Sequence, residues 1–304
     1  MALHEYLVTE VALDHVEGHL TRREALARLA RMGLSVSSAV ALLAACGADE
    51  STPPTAASPA ASPPGSPPAP AGPGYDVAAA LARTEPVSFP GDAGPVLGAF
   101  AAAQGRPKGA VLVVHENRGL TDHIRAVAGR LAGDGYAALA IDLLSRKGGT
   151  ANAGDATAAL GELSAVELLS DLQSGLDELT GRVPDTKLGA MGFCFGGGMV
   201  WALLDAGAPN LAAAIPFYGP TATDADFTGQ QAAVLGVYAE LDDRVNASRP
   251  RTETALIAAG LTHELAVFPG VDHAFFNDTG PRFDAAAAAD AYRRVLDWFG
   301  THLA

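Results

Sequence analysis

Short apolar runs alternate with amphipathic stretches from residue 109 to the end of the chain, and this alternation limits the fold more than any other feature. One continuous apolar run, Gly109-Ala-Val-Leu-Val-Val-His115, is typical of a strand that is covered on both faces. Further strands are predicted at residues 136–144, 188–193, 211–218, 234–239 and 264–268, and helices at 121–131, from 164, and at 195–205, 252–259 and 284–303. Residues 86–100 look like an antiparallel hairpin at the leading edge. The pattern predicts an α/β fold with a mostly parallel central sheet and helices on both faces.

The first 46 residues resemble a bacterial export signal. An arginine pair, Arg22-Arg23, precedes an apolar stretch at residues 32–45 that is too short to span a bilayer. The stretch runs into Leu43-Ala-Ala-Cys46-Gly47, which resembles a lipobox. Residues 1–46 are therefore predicted to be a signal segment, twin-arginine or general secretory, with Cys46 as the lipidated residue. The alternative is an amphipathic helix from Arg22 to Leu34 that belongs to the globular domain.

Composition divides the rest of the chain in two. Residues 47–74 consist mostly of Ala, Pro, Ser and Gly, which cannot bury enough apolar surface to fold, so a disordered linker is predicted. Residues 75–304 are predicted to be one domain, and the removable segment before them is expected to contribute no core. This order predicts an exported, lipid-anchored extracytoplasmic protein that touches the membrane only through its anchor. The net charge of −14, without a long basic run after the N-terminal segment, argues against nucleic acid as a partner.

A nucleophile-elbow pattern lies where an apolar strand meets a helix. The segment reads Gly192-Phe193-Cys194-Phe195-Gly196-Gly197, with Cys194 in the central position. A nucleophile in this turn stands above a helix N-terminus, where the helix dipole favours a thiolate. The alternative is a small thiol that is simply packed under the helix.

A base and its orienting acid are expected after the nucleophile, in that order along the chain. Asp242 follows the strand at 234–239, and His273 follows the next strand. Both lie at carboxyl ends of strands, where sheets of this kind bind their ligands. Asp243 is the competing candidate for the acid.

From about Val87 to Leu303 the chain resembles the dienelactone hydrolases, which are carboxymethylenebutenolidase-like enzymes with the α/β-hydrolase fold and a cysteine nucleophile. The resemblance rests on the Gly-x-Cys-x-Gly-Gly segment at 192–197, on Asp242-x-x-Val245, on Gly-x-x-His-Ala-Phe around His273, and on His-Glu-Asn-Arg-Gly at 115–119. It implies cleavage of a small ester or lactone by acyl transfer through Cys194, Asp242 and His273.

The resemblance also implies roles for the loop after the first buried strand. Glu116 aligns with a glutamate that contacts the resting thiol in that family, although it could merely stabilise the loop. Backbone amides of Asn117 and Phe195 are the expected oxyanion-hole donors. No metal is predicted, because Gly119 stands where a zinc-binding H-E-x-x-H would need its second histidine. No organic cofactor is predicted either.

Two arginines hold a substrate carboxylate in the family's type members, and this sequence keeps one of them. Arg146 matches the first, whereas Asn277 stands at the second position, where Arg118 or Arg282 would have to substitute. Arg146 could instead be a surface cation. Tyr218, with Phe193, Phe195 and Phe275, is a candidate for lining an apolar pocket, although such residues equally often form the core.

Other functions remain possible from the sequence. One alternative is a general carboxylesterase that acts on uncharged esters, which Asn277 favours. Another is a tethered binding protein that has kept the fold without turnover. Redox sensing by Cys194 would lack a nearby resolving cysteine.

The export hypothesis predicts the outcome of one substitution. Cys46→Ser should release the protein from membranes, because serine cannot carry the lipid. Fractionation of the producing cells measures this. Recovery of the unsubstituted protein in the cytoplasm, with its N-terminal segment still attached, would contradict the hypothesis.

Overall fold

One eight-stranded sheet organises the computed structural model, which describes residues 3–16, 20–46 and 76–304. Its strands are β1 (Thr84–Gly91), β2 (Gly94–Ala101), β3 (Ala110–Val114), β4 (Ala137–Asp142), β5 (Leu188–Phe193), β6 (Leu211–Phe217), β7 (Ala233–Ala239) and β8 (His263–Phe268). Their order in the sheet is β1-β2-β4-β3-β5-β6-β7-β8. Pairing is antiparallel between β1 and β2 and between β2 and β4, and parallel across the rest of the sheet. The predicted hairpin and mostly parallel sheet are confirmed.

Helices connect and cover the strands. They are α1 (Leu3–Val16), α2 (Arg22–Arg31), α3 (Val36–Cys46), α4 (Val77–Leu81), α5 (Asp122–Gly133), α6 (Ala156–Gly161), α7 (Ala165–Arg182), α8 (Phe195–Ala206), α9 (Asp243–Asn246), α10 (Arg249–Ala258) and α11 (Ala285–His302), with a 3₁₀ turn at Ser145–Lys147. Ser164 and Glu167 form the expected capping box at the start of α7. Every residue of β3, β4 and β5 is buried, as required of strands with packing on both faces.

The N-terminal helices pack onto the domain, which differs from the expectation that this segment contributes no core. Buried apolar side chains from all three join the main hydrophobic cluster, and they include Leu7, Val11, Leu29 and Leu43. The Nε of Arg28 lies 2.8 Å from Oδ2 of Asp155, just before α6. The expectation that the N-terminal segment contributes no core is therefore wrong for the intact chain. The predicted linker at 47–74 lies outside the described residues, and lipidation of Cys46 stays a prediction.

Local sequence explains why α2 forms. Thr21 and Glu24 make a capping box, in which the Thr21 hydroxyl accepts from the Glu24 amide and the Glu24 carboxylate accepts from the Thr21 amide at 2.8 Å. The helix turns Ala25 and Leu29 inward at a spacing of one turn. This agrees with the amphipathic-helix alternative for residues 22–34. Among the described residues, no helix is long and apolar enough to cross a membrane.

Packing of α2 can be tested with a pair of variants. Leu29 is fully buried, so Leu29→Ala should lower the free energy of unfolding by about 2–5 kcal/mol through lost contacts and a residual cavity. Arg23→Ala, at an exposed position of the same helix, is the control and should change it by less than about 0.5 kcal/mol. Urea unfolding of the intact chain measures both. Equal stability of the two variants would show that α2 contributes no core.

Candidate active site

The turn between β5 and α8 holds Cys194 in a strained backbone conformation. Its φ is 56° and its ψ is −116°, a region that L-residues rarely adopt. Such strain costs on the order of 1–3 kcal/mol and persists only where surrounding structure imposes it. The Cys194 amide donates to the carbonyl of Phe217 at 3.0 Å, and its carbonyl accepts from the Gly198 amide at 3.0 Å. This geometry confirms the predicted elbow.

Close backbone packing explains the glycines around the cysteine. A Cβ on Gly192 would lie 2.2 Å from the carbonyl oxygen of Gly196. One on Gly196 would lie 2.4 Å from the carbonyl oxygen of Val114, and one on Gly197 would lie 2.3 Å from that of Phe217. Because backbone atoms cannot move aside, a side chain at any of these positions would push α8 away from the sheet.

Asp242 and His273 meet at the carboxyl ends of neighbouring strands. Oδ2 of Asp242 lies 2.5 Å from Nδ1 of His273, and Oδ1 accepts from the Val245 amide at 3.1 Å to cap α9. Both side chains are buried. Asp243 is exposed in the first turn of α9, so Asp242 is the partner of the histidine.

The imidazole of His273 also faces the thiol. A ring nitrogen of His273 and Sγ of Cys194 lie within 4.8 Å of each other. The ring of Tyr218 packs against that of His273 with centroids 5.0 Å apart, and Tyr218 itself has a φ of 34°. Tyr218, predicted to contact substrate, is fully buried and supports the histidine.

Burial and charge shift the titration of these three groups. Burial raises the pKa of the Cys194 thiol, the charge of Glu10 raises it further, and the cation on His273 opposes both. Burial acts to lower the pKa of His273, but the charges of Cys194 and Asp242 outweigh it and hold that pKa well above its usual range. Burial acts to raise the pKa of Asp242, and the histidine and Arg244 overcome it so that the pKa is lowered.

A carboxylate from α1 reaches the thiol, and nothing in the sequence predicted it. Oε2 of Glu10 accepts a hydrogen bond from Sγ of Cys194 at 3.7 Å, and Oε1 forms an ion pair with Arg244. Glu10, Cys194 and His273 also carry donor types that bind zinc, with their atoms within 4.8 Å of one another. Residue 10 is 184 positions from residue 194, and no local motif connects the two.

Glu116 has a different partner from the one that the family resemblance implied. Its Oε2 accepts from Nδ2 of Asn277 at 2.5 Å, so the carboxylate on the thiol is that of Glu10. The charge of Glu116 is still close enough to raise the pKa of Cys194. Asn277 stands at the position where the family resemblance implied a second substrate-binding arginine. Its hydrogen bond to Glu116 connects the loop after β3 to the loop that follows His273.

Arg146 is also engaged elsewhere than the resemblance implied. Its Nε and Nη2 donate to the two carboxylate oxygens of Asp171 at 3.0 Å and 2.8 Å, and the Asp171 side chain is only 2% exposed. A bidentate pair of this kind is strong and geometrically specific. Arg146 therefore joins the 3₁₀ turn to α7, and Arg118 is exposed.

The expected oxyanion-hole amides lie on adjacent segments. Phe195 is the first residue of α8, so its amide has no acceptor within the helix. Asn117 follows β3, and this segment lies against α8, because a Cβ on Gly196 would meet the carbonyls of Val114 and His115. Phe193, Phe195 and Phe275 are fully buried, which agrees with core packing.

A mostly parallel sheet with an elbow after β5, and with acid and histidine after β7 and β8, defines an α/β-hydrolase. Residues 97–303 match the model of the dienelactone hydrolase family. A protein of Methylorubrum extorquens named "Putative carboxymethylenebutenolidase" is 33% identical over 214 residues, which cover 65% of this chain and 73% of that protein. One of the same name from Saccharolobus solfataricus is 32% identical over 235 residues, covering 65% and 91%.

Solved structures of other proteins support the same family assignment. A crystal structure named "Putative Dienelactone Hydrolase" from Klebsiella pneumoniae superposes with a TM-score of 0.64 at 28% identity, covering 72% of this chain and 98% of that one. A dienelactone hydrolase-like promiscuous phosphotriesterase from metagenomic libraries gives a TM-score of 0.62 at 25% identity, covering 73% and 98%. The chain belongs to the dienelactone hydrolase family and is a hydrolase of this type. The family match begins at residue 97, so α1, α2 and α3 lie outside it.

The glycine packing at the elbow gives a matched test. Gly196→Ala should lower the rate of ester hydrolysis by about a hundredfold, because the forced shift of α8 misplaces the thiol. Gly198→Ala is the control, since outside its own helix its Cβ would come no nearer than 3.6 Å to a heavy atom, and it should leave the rate within about threefold. The measurement is the rate of ester hydrolysis by each purified variant. Equal rates would contradict the proposal that close packing at Gly196 positions the thiol.

Proposed function

We propose that this protein hydrolyses a carboxylic ester or lactone, of the dienelactone type, through Cys194 as nucleophile with His273 and Asp242. The observation that carries the proposal is the 2.5 Å contact between His273 and Asp242, made beside a thiol on a strained elbow. A base oriented by an acid next to a nucleophile is the arrangement that covalent catalysis needs.

The proposed reaction has two steps. His273 takes the proton of Cys194, and the sulfur attacks the carbonyl carbon of the substrate. The oxyanion accepts hydrogen bonds from the amides of Asn117 and Phe195 while the C–O bond breaks, and His273 protonates the leaving alkoxide. Water, deprotonated by His273, then attacks the thioester, which releases the acid and restores the thiol. Asp242 holds the imidazole in the correct tautomer throughout and stabilises its cation.

Proton transfer from Cys194 depends on the surrounding charges. An imidazolium with a raised pKa stabilises the thiolate, whereas burial and the carboxylate of Glu10 favour the neutral thiol. The thiolate is therefore favoured when Glu10 moves away from Sγ. We propose that the intact chain with α1 in this position is the less reactive form.

A general carboxylesterase is the second candidate. It is favoured by the ion pair of Arg146 with Asp171 and by the hydrogen bond of Asn277 to Glu116, since both side chains are then engaged within the protein. A tethered binding protein without turnover is disfavoured by the joint presence of Cys194, His273 and Asp242.

We also propose export and anchoring through a lipid on Cys46. The support is the arginine pair at 22–23 and the lipobox-like Leu-Ala-Ala-Cys-Gly segment, followed by a linker at 47–74 that would hold the domain away from the membrane. Maturation at Cys46 would remove the preceding residues, Glu10 among them.

Replacing the nucleophile tests the proposed chemistry. Cys194→Ala should reduce hydrolysis of dienelactone and of simple esters by at least about a thousandfold, because the covalent path is lost. Cys194→Ser should also retain little activity, since a hydroxyl ionises far less readily than a thiol. Thermal unfolding checks that both variants fold. Activity of Cys194→Ala within about tenfold of the unsubstituted chain would exclude Cys194 as the nucleophile.

A further inference from the structure

Arg244 brings a cation to the elbow that none of the proposed chemical steps uses. It lies in α9, two residues after Asp242, and its side chain is only 16% exposed. Its guanidinium pairs with one oxygen of Glu10, and the other oxygen of the same carboxylate lies 3.7 Å from Sγ of Cys194. A single carboxylate thus spans the distance between the guanidinium and the thiol.

The carboxylate is delivered by a helix outside the family match. Leu7, Glu10 and Val11 share one face of α1 by their spacing, and both apolar members of the set are buried. Glu10 is only 6% exposed, so it sits inside the site. A partly buried guanidinium is stabilised by an anionic partner. When Glu10 is absent, an anionic group of another molecule can form the same charge-assisted hydrogen bonds.

The two residues expected to bind a substrate carboxylate are engaged within the protein. Arg146 is held by Asp171, and Asn277 donates to Glu116. Arg244 differs from Arg146 because its partner is a carboxylate that also contacts the nucleophile.

We propose that Arg244 forms an anion-binding subsite beside Cys194, which takes the carboxylate group of a substrate and which Glu10 occupies in the intact chain. Occupation of the subsite by a substrate rests on the hydrolase function proposed above, whereas anion binding by Arg244 does not. An ester or lactone whose carboxylate binds the guanidinium would hold its carbonyl carbon near Sγ. The subsite therefore selects for acids that carry a carboxylate close to the bond that is cleaved.

Alkylation of Cys194 by a matched pair of reagents tests the subsite without requiring hydrolysis. Iodoacetate carries a carboxylate and iodoacetamide is its neutral analogue. With either one, the thiolate sulfur forms a bond to the methylene carbon, iodide leaves with the electron pair of the C–I bond, and the thiol proton passes to the buffer. The intact chain is used with Cys46→Ser, which leaves Cys194 as the sole thiol. The measured quantity is the ratio of the iodoacetate rate to the iodoacetamide rate.

Glu10→Gln should raise this ratio about tenfold, since it removes the carboxylate that pairs with the guanidinium and, with it, a charge that repels iodoacetate. Adding Arg244→Gln should bring the ratio back down, and Arg244→Lys, which keeps the charge without the bidentate fork, should give an intermediate ratio. Glu5→Gln is the control on α1, because it makes the same charge change at an exposed position. Arg125→Gln, in an exposed pair with Asp122, is the control for losing a cation.

Two results would overturn the proposal. In one, Glu10→Gln accelerates both reagents equally, so that Glu10 only covers the thiol. In the other, Arg244→Gln slows both reagents equally, which assigns Arg244 to the support of Asp242 and His273. If Arg244→Gln lowers the thermal unfolding temperature, Arg244→Lys is the variant that tests the subsite. Its ratio of iodoacetate to iodoacetamide rates should then fall below that of Glu10→Gln alone. If the alkylation ratios follow the expected order but the protein hydrolyses no ester, the proposed function is refuted and the anion-binding subsite is still supported.

Discussion

Contact between the backbone of α8 and the neighbouring strands is the constraint on which the site depends. The absence of side chains at Gly192, Gly196 and Gly197 lets α8 approach the ends of β3 and β6, and this approach fixes the positive φ of Cys194. The same contact brings the amide of Phe195 beside the loop after β3. Nucleophile, helix N-terminus and adjacent loop therefore form one rigid unit, whose position follows from the packing of the sheet.

Three anions and two cations surround this unit, namely Glu10, Glu116 and Asp242 against His273 and Arg244. Glu10 and Glu116 raise the pKa of Cys194, whereas His273 lowers it. Arg244 compensates Glu10 directly and also helps to keep Asp242 ionised. Because the thiol is buried, each of these charges acts with little screening by water. The protonation of the thiol consequently depends on whether α1 is in place.

The sequence predicted those parts of the molecule that local pattern determines. The apolar runs predicted the parallel strands, and the Gly-x-Cys-x-Gly-Gly segment with Asp242 and His273 predicted which side chains would converge. It did not predict Glu10 at the thiol, because a contact across 184 residues leaves no periodicity or spacing to find. Nor did it predict the ion pair of Arg146, since the buried partner Asp171 stands out in the sequence only as one position of an amphipathic helix.

Glu10 belongs to the same chain as the site it fills, and this gives it an advantage over any dissolved anion. A group tethered to its binding site is present at an effective concentration on the order of millimolar, whatever the protein concentration. A diffusing carboxylate would have to exceed that concentration, or bind more tightly, to displace it. Diluting the protein at a fixed anion concentration leaves this competition unchanged, whereas a cut between α1 and the domain would leave Glu10 held in the site only by the packing of α1.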